Sequence, residues 1–172
     1  MPSATVRHLM GARVSAVGLA FPPTYRPDDV IIGTWSMQAC TAELGAGNWT
    51  STVWVGANVA YAYMFCLADY YLVRKVWWAN GGDATGPHYD VGVYTEALAL
   101  LVSSGDITAV GASLVQESDV TDTLLAPGRY WLACACSTTT GSILAHPVTA
   151  ANARAAGCAQ MATAFPLPST FV

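Results

Sequence analysis

The chain combines a high apolar content with unusually little charge. Of its 172 residues, 53% are hydrophobic and 10% are charged, and the formal net charge at pH 7 is −4. This composition excludes a disordered chain, and seven Lys and Arg residues against eleven Asp and Glu residues exclude a basic nucleic-acid-binding protein. No apolar run is long enough for a spanning helix, so we expect no membrane insertion. A free monomer would expose large apolar patches, which predicts a homo-oligomer.

Residues 1–47 are predicted to form an extended arm that precedes the folded domain. Residues 21–27 contain three prolines, which favour an extended backbone over a helix. Large apolar side chains in this region favour an arm that docks on a neighbour, and a frayed terminus is the alternative. The residues predicted to make these interface contacts are Phe21, Tyr25, Ile31 and Trp35.

Residues 48–172 carry a pattern of short strands separated by Gly, Pro and Asp. The predicted strands are residues 59–67, 70–78, 90–96, 98–103, 114–120, 129–137 and 142–148. Residues 80–83 (Asn-Gly-Gly-Asp) are predicted as a turn, and residues 149–161 as either a short helix or a loop. Because no strand–helix alternation is present, we predict an all-β antiparallel β-sandwich, jelly-roll-like, with about eight strands.

The polar residues form no catalytic or metal-binding pattern. The five cysteines show no Cys-x-x-Cys spacing and the three histidines are scattered, so we expect no enzyme activity, no metal and no cofactor. Cys134 and Cys136 are predicted to share one strand face as small core residues. The acidic residues predicted at solvated turns or strand ends are Asp83, Asp90, Asp106, Glu117, Asp119 and Asp122. A calcium site at the last three of these is the alternative.

Aromatic side chains on the predicted strands are the candidates for binding. Alternation along each strand places Trp77 and Trp131 opposite the core-facing residues. Outward Trp is typical of protein interfaces, and we predict that Trp77, Trp131 and Arg129 contact a neighbouring subunit. The alternative is that Trp77, Tyr94 and Trp131 form a platform that stacks on a host-surface glycan.

Two long stretches, residues 44–68 and 130–153, carry no formal charge. An isolated sandwich buries one face of each strand and leaves the other face exposed to solvent. Here the face expected to be exposed to solvent carries Ala60, Ala62, Met64, Trp131, Ala133 and Ala135. We therefore predict that these outer faces lie against other subunits.

The span from Lys75 to Ser137 carries a strand-and-turn pattern. Its segments are Lys75-Val-Trp-Trp-Ala-Asn-Gly81, Asp90-Val-Gly-Val-Tyr94, Leu101-Val-Ser-Ser-Gly105 and Asp119-Val-Thr-Asp-Thr-Leu-Leu-Ala-Pro-Gly-Arg-Tyr-Trp-Leu132. This pattern resembles the small β-sandwich proteins found among the structural genes of tailed bacteriophages, usually labelled minor tail or virion proteins.

The resemblance implies a virion structural protein, made in the host cytoplasm, that acts by binding alone. Its expected partners are further copies of itself, as a trimer or higher, and other virion proteins. The resemblance supplies no catalytic residues and leaves a head or a tail location open. A receptor- or glycan-binding module on the same sandwich is the alternative function.

Overall fold

The computed structural model describes residues 50–67, 69–82, 86–145 and 158–172. Ten strands lie in these residues: β1 (Thr50–Val53), β2 (Val59–Leu67), β3 (Tyr71–Ala79), β4 (His88–Thr95), β5 (Leu100–Ser103), β6 (Ile107–Thr108), β7 (Val115–Leu125), β8 (Gly128–Cys136), β9 (Ser142–Ala145) and β10 (Cys158–Met161). The described residues contain no helix, and all strand pairs are antiparallel. The all-β prediction is therefore confirmed, with three short strands (β1, β6 and β10) beyond those predicted.

Two predicted features fall wholly or mostly outside the described residues. The N-terminal arm of residues 1–47, with Phe21, Tyr25, Ile31 and Trp35, lies there entirely. Of residues 149–161, only the last four are described, and they form β10. In the part of the chain that the structure covers, no helix has the length and apolarity needed to cross a membrane.

A six-stranded sheet forms the centre of the fold. Its strands follow the order β10-β2-β8-β4-β5, and β6 also pairs with β4. β2 pairs with β8 along its full length, from Val59 opposite Cys136 to Leu67 opposite Gly128. Because β2 alternates bulky and small residues, one face of this sheet is bulky and the other is lined by alanine.

A second layer packs on the bulky face of the central sheet. It consists of the β3–β7 pair and the β1–β9 pair. The two pairs meet where Asn80, after β3, forms a bridge with Ile143 of β9, and where the Gly81 N–H donates to the Ser142 carbonyl at 2.8 Å. The buried residues that this layer supplies to the core are Trp54, Tyr71, Val73, Val76, Trp78, Leu125 and Ile143. Together the two layers form the predicted antiparallel sandwich.

A bulge in β3 interrupts the strict alternation of its two faces. Strict alternation places Val73 and Val76 on opposite sides of the strand, but both are buried in the same core. The pairing with β7 shifts between Val73 and Lys75, and both Arg74 and Lys75 are exposed. The extra residue of the bulge restores the core-facing side for the second half of the strand.

The alanine-lined face of the central sheet is covered by the chain itself. Four alanines of β2 and β8 have no exposed surface: Ala60, Ala62, Ala133 and Ala135. Ala164, Leu167 and Phe171 of the C-terminal segment (residues 162–172) belong to the same buried cluster, and Trp131 is half-buried against it. The prediction that these four alanines lie against another subunit is therefore wrong, since the cover is intramolecular. Met64, on the same face, is half-buried.

Candidate interaction surface

Trp77 and Trp131 lie on opposite outer sides of the sandwich. Trp77 is half-buried on β3, between two core residues, and stands opposite Glu117 of β7. Trp131 lies on the alanine-lined face of β8, where its Nε1–H donates to the Glu96 carbonyl at 3.3 Å. Since the hydrophobic core separates the two indoles, no single partner surface of ordinary size would contact both.

Tyr94, the third member of the predicted glycan platform, is fully buried. Its hydroxyl donates to the Pro168 carbonyl at 2.7 Å, and its ring packs edge-on against Phe171 with a centroid distance of 5.6 Å. Burial, and secondarily the charge of Asp90, raises the pKa of this hydroxyl, which keeps it a donor. The predicted platform of Trp77, Tyr94 and Trp131 is therefore corrected, because the three rings share no exposed surface.

Arg129, predicted at a subunit interface, makes an ion pair within the chain. Its guanidinium contacts the Glu96 carboxylate, and both side chains are more than half exposed. An exposed pair of this kind stabilises the fold by about 0–1 kcal/mol at most. Arg129 is thus held at the surface, where its contact with another subunit stays a prediction.

Asp90 is buried within β4, unlike the exposed Asp106, Glu117, Asp119 and Asp122, whereas Asp83 lies outside the described residues. Its Oδ1 accepts hydrogen bonds from the hydroxyls of Ser103 at 2.5 Å and Ser104 at 3.3 Å. Its Oδ2 accepts the Leu167 backbone N–H at 2.9 Å. The prediction of a solvated turn residue is wrong for Asp90, which instead holds the C-terminal segment on the sheet.

The acidic residues considered for calcium lie along the exposed side of β7. Glu117 and Asp119 lie 2.9 Å and 3.7 Å from Lys75 Nζ, and Asp122 lies 3.0 Å from Arg74 Nε. The hydrogen bond and charge of Glu117, followed by the charge of Asp119, raise the pKa of Lys75. Within the described ranges, no three His, Cys, Asp or Glu residues are grouped as metal ligands would be.

One histidine forms part of an arrangement that is also found in catalytic triads. The Nδ1 atom of His88 lies 2.5 Å from Asp106 Oδ1. A triad also needs a nucleophile hydrogen-bonded to the second ring nitrogen. Ser137, the serine bonded to this histidine, instead accepts its backbone N–H at 3.1 Å. The pair therefore links the start of β4 to the turn after β5.

The described cysteines differ in burial, and Cys134 and Cys136 are buried in the core as predicted, whereas Cys158 is half-buried. Burial raises the pKa of both core thiols. Cys66 is exposed on β2. Because the thiolate is the reactive form, a buried thiol with a raised pKa reacts slowly.

We expect a maleimide at pH 7 to modify Cys66 at least about 100-fold faster than Cys134 or Cys136, since Cys66 is exposed and the other two are buried. Mass spectrometry of peptides from a labelling time course measures the three rates. The same reaction in 6 M guanidinium is the control, in which the rates should converge. Equal rates in the native protein would contradict the burial of Cys134 and Cys136.

Two groups of exposed apolar side chains, which the sequence did not reveal, lie at one end of the second layer. We call them together the apolar end; its residues are Val53, Val55, Val110, Leu114 and Val115, which are 59% to 67% exposed. The backbone around Gly81 joins its two halves: the Gly81 N–H donates to Ser142, which pairs with Val53, and the Gly81 carbonyl accepts the Ser113 N–H at 2.9 Å.

A buried amide fixes the loop that carries half of the apolar end. Asn80 has no exposed surface, and its Nδ2 lies 3.0 Å and 3.1 Å from the carbonyls of Val110 and Gly111 and 3.1 Å from Gln116 Oε1. The Trp78 Nε1–H donates to Asn80 Oδ1 at 2.8 Å. Gly111 and Ser113 adopt positive φ values of 85° and 56°, which complete the tight turn. The loop is therefore held from inside while its apolar side chains point outward.

Comparisons of the chain with protein-family models, with curated proteins and with solved structures found no match.

Proposed function

We propose that the chain is a structural protein of a bacteriophage particle, which associates with copies of itself and with other virion proteins by binding alone. The observation that carries the proposal is the apolar end, a rigid surface that exposes five bulky apolar side chains. Soluble monomers seldom expose contiguous apolar patches without a binding role.

The resemblance noted for residues 75–137 supports the virion setting. The segments that carry it form β3, β4, β5, β7 and β8, which are the strands that build most of the two layers. A phage particle is assembled from many copies of small binding domains, and such a domain needs a stable scaffold and a contact surface. The sandwich supplies the scaffold, and the apolar end supplies the contact surface.

The receptor- or glycan-binding alternative has less support. Its predicted platform required three rings on one surface, whereas Tyr94 is buried and the two tryptophans lie on opposite sides. An exposed aromatic face is what stacks on a pyranose ring. Tyr94 stands opposite Trp131 in the β4–β8 pairing, but its ring has no exposed face to add, and Trp77 lies on the other side of the sandwich. We therefore retain assembly as the proposed function.

The proposal predicts that the chain copurifies with phage particles at a fixed copy number. Particles of the phage that encodes it are purified on a density gradient, and the chain is quantified by mass spectrometry against the major capsid protein. A tagged copy of the chain added to the lysate after assembly is the control for adsorption. A chain that remains in the soluble lysate fraction, or that binds only as the added copy does, would overturn the proposal.

A further inference from the structure

We propose that Asn80 and Gly81 form a latent self-modification site, at which the Gly81 backbone nitrogen attacks the Asn80 side-chain amide once the loop of residues 110–114 moves away. The proposal is independent of the function proposed above. The chain has four asparagines, and only Asn80 is followed by glycine. Because glycine leaves its backbone nitrogen unhindered and its backbone free to adopt the conformation that the attack needs, Asn80 is the most reactive of the four.

The reaction consumes one water molecule and releases ammonia. The Gly81 nitrogen loses its proton to base and forms a bond to Cγ of Asn80. The bond from Cγ to the amide nitrogen breaks, and that nitrogen takes up a proton and leaves as ammonia. Water then opens the resulting succinimide ring at either carbonyl. The product is aspartate or isoaspartate at position 80, and the step needs no oxidant and no enzyme.

The fold requires both residues, each for a separate reason. Asn80 is required because its side-chain amide binds the loop of residues 110–114. Gly81 is required because the chain here passes close to β1 and β9, where a Cβ atom would overlap the side chains of Ser51 and Ser142. The packing of the second layer therefore places a labile pair of residues where neither can be exchanged without disturbing the fold.

The closed fold keeps the two reacting groups apart. The Gly81 N–H donates to the Ser142 carbonyl at 2.8 Å, so the proton that must leave is held in a hydrogen bond. The Asn80 side chain has no exposed surface, and its Nδ2 and Oδ1 are both hydrogen-bonded within the protein. Base and water therefore do not reach Cγ, and the amide is held away from the backbone nitrogen that would attack it.

The loop of residues 110–114 is the part of this enclosure that opens most readily. Each of its residues is exposed or half-buried, so its attachment consists mainly of hydrogen bonds. Gln116 is common to the loop and the amide, because its Oε1 accepts both the Val110 N–H at 2.9 Å and Asn80 Nδ2 at 3.1 Å. A segment with few buried apolar contacts opens at a lower free energy than the core does. Opening of this loop frees the Asn80 amide while the sandwich stays folded.

The modification prevents the loop from closing again. Aspartate at position 80 turns an acceptor, in place of the amide donor, toward the carbonyls of Val110 and Gly111. Isoaspartate adds one carbon atom to the backbone, which disrupts the bridge between position 80 and Ile143 of β9. Each product therefore accumulates as a chain whose loop is detached.

The first test follows deamidation of the full-length wild type at pH 8 and 37 °C by mass spectrometry of its peptides. Asn80 should react at least about 100-fold more slowly in the native protein than in 6 M guanidinium, because only a small open population reacts. Asn58, which precedes the β-branched Val59, is the internal control and should react slowly under both conditions. Equal rates at Asn80 in the two conditions would overturn the proposed enclosure.

The same reaction in low urea separates opening of the loop from unfolding of the whole chain. Opening of a short loop exposes little surface, so the rate at Asn80 should stay nearly constant at urea concentrations well below the unfolding midpoint. A rate that rises from the lowest urea concentration with the slope of global unfolding would mean that the amide reacts only in the unfolded chain. That result, or a native rate of zero, would overturn the proposal.

A pair of variants tests the role of the loop. Gln116→Ala removes the side chain common to the loop and the amide, and it should raise the native rate at Asn80 at least about 10-fold. Gln160→Ala removes an exposed amide from β10 as the matched control and should leave the rate unchanged. Urea unfolding shows whether Gln116→Ala folds; if it does not, Ser113→Pro, which removes the N–H that binds the Gly81 carbonyl, takes its place. An unchanged rate in the loop variant would overturn the assignment of the loop as the gate.

The modified chain itself provides the last measurement. Ion exchange separates it from the unmodified chain by its additional negative charge. It should unfold at a lower urea concentration, because its loop no longer closes over position 80. An unfolding midpoint equal to that of the unmodified chain would show that the product is accommodated, and would overturn the inferred detachment of the loop.

Discussion

Replacing Asp90 with alanine should lower the free energy of unfolding by about 3–4 kcal/mol and loosen the C-terminal segment. The substitution removes the acceptor of the Ser103 hydroxyl, the Ser104 hydroxyl and the Leu167 N–H. Because the site is buried, the N–H left behind has no water to replace the lost partner. Urea unfolding measures the loss of stability, and hydrogen exchange at Leu167 measures release of the segment.

The matched control for this prediction is Asp119→Ala. The Asp119 side chain is 86% exposed and its nearest cation is 3.7 Å away, so its loss should cost under about 0.5 kcal/mol. If the two variants were equally stable, the carboxylate of Asp90 would not hold the segment. If Asp90→Ala lost stability with no faster exchange at Leu167, its effect would lie within the sheet alone.

The C-terminal segment accounts for part of the charge deficit that suggested an oligomer. Both faces of the central sheet are buried, one by the second layer and one by residues 162–172. A strand buried on both faces reads as a nearly continuous apolar run, as a strand of a covered sheet does. β2 and the residues of β8 that follow Arg129 are of this kind, so their lack of charge needs no neighbouring subunit. The apolar end, by contrast, is not covered by any described residue.

The strands of the central sheet were predictable from the sequence because the pattern that indicates a strand involves only neighbouring residues. Alternation of bulky and small residues along residues 59–67, and turn residues between the strands, determine β2 and most of the other strands. The bulge in β3 was not predictable, because Arg74 and Lys75 are equally compatible with either face until the pairing with β7 is known. Because turn residues mark the strand ends locally, the boundaries of β2, β3, β4 and β8 lie within two residues of the prediction, whereas β7 ends five residues later than predicted.

The interaction surface was less predictable, because it depends on contacts between distant parts of the chain. Asn80 reads as a turn residue, and nothing near it indicates that residues 110–116 will surround its amide. Likewise, Asp90 looks like a strand-end acid until residue 167 is placed against it. In both cases one buried polar side chain is matched by a backbone segment more than 25 residues away, and single-sequence patterns do not record such matches.

Replacing Asn80 with alanine should lower the free energy of unfolding by about 3 kcal/mol and weaken self-association as well. The Trp78 Nε1–H would lose its acceptor in the core, and the carbonyls of Val110 and Gly111 would lose their side-chain donor. Without this amide the loop that presents Leu114 becomes mobile, so docking must first order it. Urea unfolding and sedimentation, both run on the same preparation, measure the two effects.

One further variant, Asn80→Asp, separates the effect of the hydrogen bonds of Asn80 from the effect of its volume, and a second, Gln160→Ala, is the control. Asn80→Asp preserves size and the acceptor for Trp78, but it turns a second oxygen toward the carbonyl oxygens of Val110 and Gly111. It should therefore be at least as destabilising as alanine, whereas a simple cavity effect would leave it near the wild type. Gln160→Ala removes an exposed amide from β10 and should change stability by under about 0.5 kcal/mol. An Asn80→Ala protein that unfolds earlier but associates with unchanged affinity would show that the loop keeps its shape without the amide, and that Gln116 alone is sufficient to hold the apolar end.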